Sequence, residues 1–192
     1  MKKLAVLFPG IGYTCDKPLL YYSWKVLKKL DYEVFPVPYT GFPDGVKGNA
    51  EKMQKAAQMA LDQAEEMLKE INWSDYEDIV FVSKSVGTVV GTAYARRHEI
   101  VCRHILFTPV EGTFRFAGNN AIAFHGTADP WVDTNVIKEN CRRLGIPLYI
   151  TEAANHSLET GDVDADIIIM GQTIKRVREF VSSAISAVDQ RQ

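Results

Sequence analysis

Six short apolar runs alternate with longer segments of helical periodicity, and this alternation constrains the chain more than any other feature. The runs are rich in β-branched and aromatic residues: Leu4 to Phe8, Glu33 to Val37, Ile79 to Ser83, Ile105 to Thr108, Ala121 to His125 and Leu148 to Thr151. Between Ala50 and Ile71, residues Met53, Ala57, Ala60, Leu61, Ala64, Leu68 and Ile71 fall on one stripe. From about Asp166 to Val188 a second stripe carries Met170, Ile174, Val177, Val181, Ile185 and Val188. Asp16-Lys17-Pro18 reads as a cap and an early-turn proline opening a helix through Leu30. Continuously apolar strands separated by helices imply a mainly parallel sheet covered on both faces, a doubly wound α/β arrangement. Right-handed crossovers then place the functional loops at the carboxyl ends of the strands.

The chain has 192 residues, enough for one domain with a sizeable core, and no repeat or linker divides it. A single domain over residues 1–192 is expected. The formal net charge of -2 argues against nucleic acid or an anionic membrane surface as partner. The paired cations (Lys2-Lys3, Lys28-Lys29, Arg96-Arg97, Arg142-Arg143) are short and scattered, as solvated helix ends are. Cys15, Cys102 and Cys141 are odd in number and lack metal-ligand spacing, so a cytoplasmic protein without a disulfide framework is expected. Met1-Lys2-Lys3 ahead of Leu4 to Phe8 has the order of a secretion signal, but the apolar run stops at Pro9-Gly10 and reads as a first strand. No stretch approaches the roughly 18 apolar residues of a membrane span.

Val82-Ser83-Lys84-Ser85-Val86-Gly87-Thr88 leaves the strand beginning at Asp78 and enters a helix through Val90, Ala93 and Tyr94. That is the strand-turn-helix setting of a nucleophile elbow, whose strained turn requires small residues beside the nucleophile. Gly87 meets the requirement two residues after Ser85, and Ser83 stands two residues before it. Two further polar loops follow strand ends: His125-Gly126-Thr127-Ala128-Asp129-Pro130-Trp131-Val132, and Asn155-His156-Ser157 before the final helix. A serine, an aspartate and a histidine then occur in that order, each at the carboxyl end of a different strand. Asp133 competes with Asp129 as the acid, although a helix-capping role fits Asp133 better.

At these residues the chain resembles the α/β-hydrolase superfamily, particularly its small lidless members of the dienelactone-hydrolase-like and short-chain esterase-like kind. The resemblance implies Ser85 as nucleophile, His156 as base and Asp129 as the acid that orients the base. It implies a six-stranded sheet of order 2-1-3-4-5-6, a minimal α/β-hydrolase fold lacking two leading strands and a cap domain, with Ser85 beside the switch point. Phe8-Pro9-Gly10-Ile11-Gly12-Tyr13 resembles the family's His-Gly-x-Gly element with Pro9 in the histidine position. The oxyanion hole would then come from the backbone N–H groups of Ile11 and Val86.

The expected activity is hydrolysis of a carboxylic ester through an acyl-enzyme. Thioester or amide cleavage and acyl transfer share the same triad, and a silent hydrolase fold that binds a partner is the alternative of another class. A small-molecule acyl substrate is the expected partner, no metal or organic cofactor is implied, and a homodimer is left open. Tyr13, Phe114 and Trp131 are candidates to line the acyl pocket, as is Phe116. The short connection from Pro109 to Asn119, with Glu111 and Arg115, predicts an open, shallow site. Among the bystanders, Lys84 reads as solvent-facing or ion-paired, and Cys15 as packing. His125 reads as a structural hydrogen bond, His98 and His104 show no partner, and Asp162, Asp164 and Asp166 read as a solvated turn.

Overall fold

The computed structural model describes residues 2–42, 44–46 and 49–189, with the side chains of residues 50 and 184–189 left out. Its strands are β1 (Lys3–Phe8), β2 (Glu33–Pro36), β3 (Asp78–Lys84), β4 (Arg103–Phe107), β5 (Ala121–Gly126) and β6 (Leu148–Thr151). All five neighbouring pairs are parallel, and the order is β2-β1-β3-β4-β5-β6. The helices are α1 (Pro18–Lys29), α2 (Ala50–Leu68), α3 (Val86–Arg97), α4 (Thr134–Leu144) and α5 (Val163–Asp189).

Side chains that alternate along each strand feed two separate layers. Ala5, Leu7, Val80, Val82, Ile105 and Phe107 pack beneath α1 and α5, against Leu19, Leu27, Val177 and Val181. Leu4, Val6, Phe8 and Phe81 face the other way, onto α2 and α3 through Ala60, Ala64, Leu68, Val90 and Tyr94. Farther along that face, Leu106, Ala121 and Ala123 meet Ile137 and Cys141 of α4. Burial on both faces is why these strands read as continuous apolar runs rather than alternating ones.

The sheet order agrees with the expected one, and element ends differ by only a few residues. Three local readings are corrected. Lys17, not Asp16, holds the capping position of α1 and makes no capping bond with its side chain; Pro18 brings no N–H, and Leu19 N–H donates to the Tyr13 hydroxyl at 3.1 Å. The stripe ending at Ile71 overshoots α2, which stops at Leu68. The acidic run before α5 is a built cap. Asp162 Oδ1 accepts Ala165 N–H at 2.9 Å, and Asp166 accepts the N–H and hydroxyl of Thr160 at 2.6 and 2.8 Å. Those bonds start α5 at Val163, earlier than its apolar stripe does; Ile185 and Val188 of that stripe lie outside the described side chains.

Candidate active site

From β1 the chain winds out to β2 and returns on the far side of β1 to make β3. The carboxyl ends of β1 and β3 therefore flank the switch point, where a ligand can enter between diverging loops. Ser85 follows β3 there with φ 55° and ψ −123°. This backbone conformation is disfavoured for a residue with a Cβ and costs on the order of 1–3 kcal/mol. The turn is held by Ser85 N–H donating to Phe107 O at 3.0 Å, and by Gly87. A Cβ at Gly87 would sit 2.2 Å from Phe8 O and 2.4 Å from Pro9 O, so only glycine lets α3 start this close to β1. Ser83 is buried and donates to Ile105 O at 3.2 Å, which uses its hydroxyl structurally.

Ser85 occupies the capping position of α3, yet its hydroxyl makes no capping bond. It lies 2.7 Å from His156 Nε2 instead. His156 Nδ1 is 2.7 Å from Asp129 Oδ2, an arrangement in which Nδ1–H donates to the carboxylate and leaves Nε2 to accept from the serine. The second oxygen of Asp129 accepts Trp131 N–H at 2.9 Å. Asp133 accepts Asn135 N–H at 2.7 Å and caps α4, which removes it as a rival acid. The indole of Trp131 lies nearly parallel on the imidazole, with centroids 5.0 Å apart and planes at 17°, and limits ring rotation.

The two loops carrying Asp129 and His156 are fastened to each other. Ala128 N–H donates to Ala154 O at 2.9 Å, and Thr127 N–H to Thr151 O at 3.0 Å. Gly126 makes room for this contact: a Cβ there would fall 2.2 Å from Ala154 O and 2.8 Å from Asn155 O. Gly126→Ala must push the segment before His156 outward. We expect about a hundredfold loss of kcat in any turnover that depends on His156, because a displacement of about 1 Å costs that much. A third tie was not legible in the sequence. Thr108, at φ 41° just after β4, donates its hydroxyl to His156 O at 3.0 Å. A threonine closing a strand carries no sequence signal for that role.

Burial holds the His156 imidazole below its ordinary pKa; the hydrogen bond to Asp129 opposes this, and the charge of Lys84 adds to it. For Asp129 burial works against the carboxylate, but the His156 hydrogen bond and charge, with Trp131 N–H, more than offset it and hold the carboxyl below its usual range. His125 is the structural histidine that was expected: fully buried, with Nε2 3.1 Å from Thr134 Oγ1 and Nδ1 3.7 Å from Asp129 Oδ2.

The loop after β1 folds back on itself through Gly10 N–H to Tyr13 O at 3.0 Å and the reverse bond at 3.3 Å. It lies against the serine: a Cβ at Gly10 would be 3.1 Å from Ser85 Cβ. Ile11 N–H and Val86 N–H, the latter in the first turn of α3, take no intramolecular acceptor among the described residues. Both lie in segments that border Ser85.

Of the expected pocket residues, Trp131 lines a cavity of about 720 Å³, whose wall also includes Val86, next to Ser85, and Pro130, next to Asp129. Tyr13 and Phe114 do not line it. Tyr13 is pinned by Leu19 N–H donating to its hydroxyl at 3.1 Å, and Phe114 is buried in the core under α4. Phe116, also expected there, does line it, joined by Met53, Val86, Val89 and Val110. The cavity is half open to solvent, with residues of α2 and of the 3-10 turn Glu111–Arg115 along its sides.

Other bystander readings also change. Lys84 is buried, 1% exposed, and its Nζ stands 5.0 Å over the Tyr13 ring. His98 Nε2 pairs with Glu65 Oε2 at 2.6 Å, and His104 Nε2 lies 3.4 Å from Cys102 Sγ. Burial pushes the Cys15 thiol up to about 11, so it is no nucleophile at neutral pH. Among the described residues no group of three or more His, Cys, Asp or Glu could hold a metal ion. No described helix is long and apolar enough to cross a membrane.

No protein-family model matches the chain, and no curated protein sequence matches it. Solved structures do. A Pyrococcus furiosus esterase superposes with a TM-score of 0.66 at 13% identity, over 95% of this chain and 83% of that one. A Butyrivibrio proteoclasticus protein solved with ferulic acid bound gives 0.68 at 11% identity, over 96% and 90%. A Xanthomonas campestris α/β serine hydrolase without a lid gives 0.57 at 14%, over 91% and 81%. The chain has the α/β-hydrolase fold, in a form close in size to lidless members.

Proposed function

We propose that this protein is a serine hydrolase that cleaves a carboxylic ester through an acyl-enzyme on Ser85. The observation that carries the reading is the unbroken hydrogen-bonded line from Ser85 Oγ through His156 to Asp129, with both contacts at 2.7 Å. Three loops of one parallel sheet converge at its switch point to make that line. A hydroxyl is nearly inert at neutral pH, so His156 Nε2 takes the Ser85 proton as Oγ attacks the carbonyl carbon. Asp129 holds the imidazole tautomer and stabilises the imidazolium. Val86 N–H and Ile11 N–H receive the oxyanion, each donor contributing about 3–4 kcal/mol of transition-state stabilisation. The imidazolium then protonates the leaving alkoxide. Water, deprotonated by the same nitrogen, releases the acid and regenerates Ser85.

The apolar cavity beside Trp131 takes one arm of the ester. Labelling of Ser85 by a fluorophosphonate probe, together with hydrolysis of short nitrophenyl esters, tests the assignment. A probe that attaches elsewhere, or not at all, removes it. Val89→Trp, which fills the cavity opposite Gly112, is expected to lower kcat/KM for an octanoyl ester about tenfold relative to the acetyl ester. An unchanged ratio would place the chain outside this cavity. The three free cysteines fit a reducing, cytoplasmic setting.

A further inference from the structure

Two imidazoles, not one, stand at the Asp129 carboxylate. Oδ2 accepts His156 Nδ1–H at 2.7 Å, and Oδ1 accepts Trp131 N–H at 2.9 Å. His125 Nδ1 lies 3.7 Å from the same Oδ2, and neither of these two side chains is exposed. His125 Nδ1 has no hydrogen-bond partner among the described residues, and a buried polar nitrogen in that state calls for a physical reason. Local structure explains the approach. His125 shares the strand parity of Ala121 and Ala123 in β5, so its side chain enters the layer under α4. There Nε2 lies 3.1 Å from Oγ1 of Thr134, the first residue of α4. The chain then turns back over the strand end, Asp129 N–H donating to Gly126 O at 3.1 Å, and this turn brings Oδ2 to Nδ1.

The charge of the carboxylate decides which His125 nitrogen holds the proton. A bare Nδ1 lone pair 3.7 Å from a carboxylate oxygen would be repelled, with little solvent to screen the two. A proton on Nδ1 turns the same contact into an attraction. Nε2 is then the acceptor, and it takes the Thr134 hydroxyl proton. A doubly protonated ring is disfavoured. Burial holds the His125 imidazole below its ordinary pKa and Lys138 adds to this, against the opposing charges of Asp129 and Asp133. The amino end of α4, which starts at Thr134, also disfavours a cation there. At 3.7 Å the contact is longer than a hydrogen bond, so what His125 offers is an N–H dipole facing a charge.

We propose that His125 is a positioning residue: its Nδ1–H, set in that tautomer by Asp129 and Thr134, faces Asp129 Oδ2 and keeps the carboxylate aimed at His156. Without that dipole, Oδ2 is steered by His156 alone, the very group it has to orient. The Thr134 contact anchors the ring, and the Nδ1 side serves the acid. The inference rests on the proposed role of Asp129 in orienting the base.

Two amide side chains separate the two nitrogens. Glutamine sets its amide close to where Nε2 stands, and asparagine sets its NH2 group close to where Nδ1 stands. His125→Gln keeps a partner for Thr134 and removes the dipole facing Asp129. It is expected to lower kcat for a short nitrophenyl ester about tenfold, as a partial misplacement does, with KM within about twofold. KM holds because His125 does not line the cavity. His125→Asn is expected to recover most of that kcat but to melt about 2–4 °C lower, having given up the Thr134 bond. A histidine that serves packing alone gives the reverse order. A loss of kcat in His125→Asn equal to or larger than in His125→Gln overturns the proposal, as does wild-type kcat in His125→Gln. Should the variants not fold, nitrogen NMR of the imidazole rings in the wild-type protein decides. His125 is expected to be neutral at pH 7 with its proton on Nδ1, and a proton on Nε2 overturns the proposal. The tautomer is read without turnover, so it separates a failure of the His125 role from a failure of the hydrolase reading, which Ser85 labelling measures.

Discussion

Ser85→Ala is expected to lower kcat for ester hydrolysis by roughly a millionfold while leaving the melting temperature within a degree or two of wild type. The first half follows from the absence of a substitute nucleophile. Ser83 spends its hydroxyl on Ile105 O inside the sheet, and the Cys15 thiol is held up at about 11 with no base beside it. What survives is carbonyl polarisation by the two backbone N–H groups and substrate binding, worth about a thousandfold over water. The second half follows from the cap. A serine that starts a helix usually contributes about 1 kcal/mol by bonding the first-turn N–H groups, and its loss would destabilise the fold. Ser85 makes no such bond, and alanine at φ 55° meets the same backbone strain. Calorimetry beside stopped-time ester assays checks both halves. A large drop in melting temperature with modest loss of rate would identify Ser85 as a cap rather than a nucleophile.

The separation of these two roles explains what the sequence could and could not disclose. Sheet order and the loops carrying Ser85, Asp129 and His156 were legible because each depends on a pattern along the chain. Apolar runs at regular spacing fix the strands, and strand-turn-helix context singles out Ser85. The polar loops after β5 and β6 contain only a few candidate residues. Lys84 was misread because a lone lysine letter carries the expectation of exposure. Its parity with Val80 and Val82 already pointed it into the layer under α1 and α5. Of Phe114 and Phe116, both expected at the pocket, only Phe116 lines it, for a similar reason. A 3-10 turn advances about 120° per residue, so positions two apart point to different sides, and the turn itself leaves no apolar periodicity to read.

Partners distant in sequence were the hardest to foresee. His98 finds Glu65 across 33 residues, and Thr108 finds the His156 carbonyl across 48. Neither contact follows from spacing, since each depends on which loops the finished sheet brings together. The lining of the cavity belongs in the same group, since part of it comes from Met53, Gln54 and Ala57 of α2, which lies far earlier in the chain.

The choice between two aspartates is where sequence and geometry combine, and its test has the second largest expected effect. Asp129→Asn is expected to lower kcat about ten-thousandfold with the fold retained, and Asp133→Asn to change kcat less than threefold. The amide at position 129 keeps the shape, and its oxygen still accepts Trp131 N–H. Its NH2 group now faces His156 Nδ1, however, so Nδ1 must accept and Nε2 must carry the proton. The base is then in the wrong tautomer to receive the Ser85 proton, and the imidazolium of the transition state has lost its counter-charge. His125 cannot take over. Its Nδ1 lies 3.7 Å from Asp129 Oδ2, its Nε2 is engaged near Thr134, and burial lowers its affinity for a proton. Asp133, by contrast, accepts one N–H at the start of α4, and asparagine caps a helix nearly as well. Steady-state kinetics on both variants, with circular dichroism to verify folding, decide the matter. A damaged Asp133→Asn beside an active Asp129→Asn would mean that the bond between Asp129 and His156 serves the loop and not the reaction.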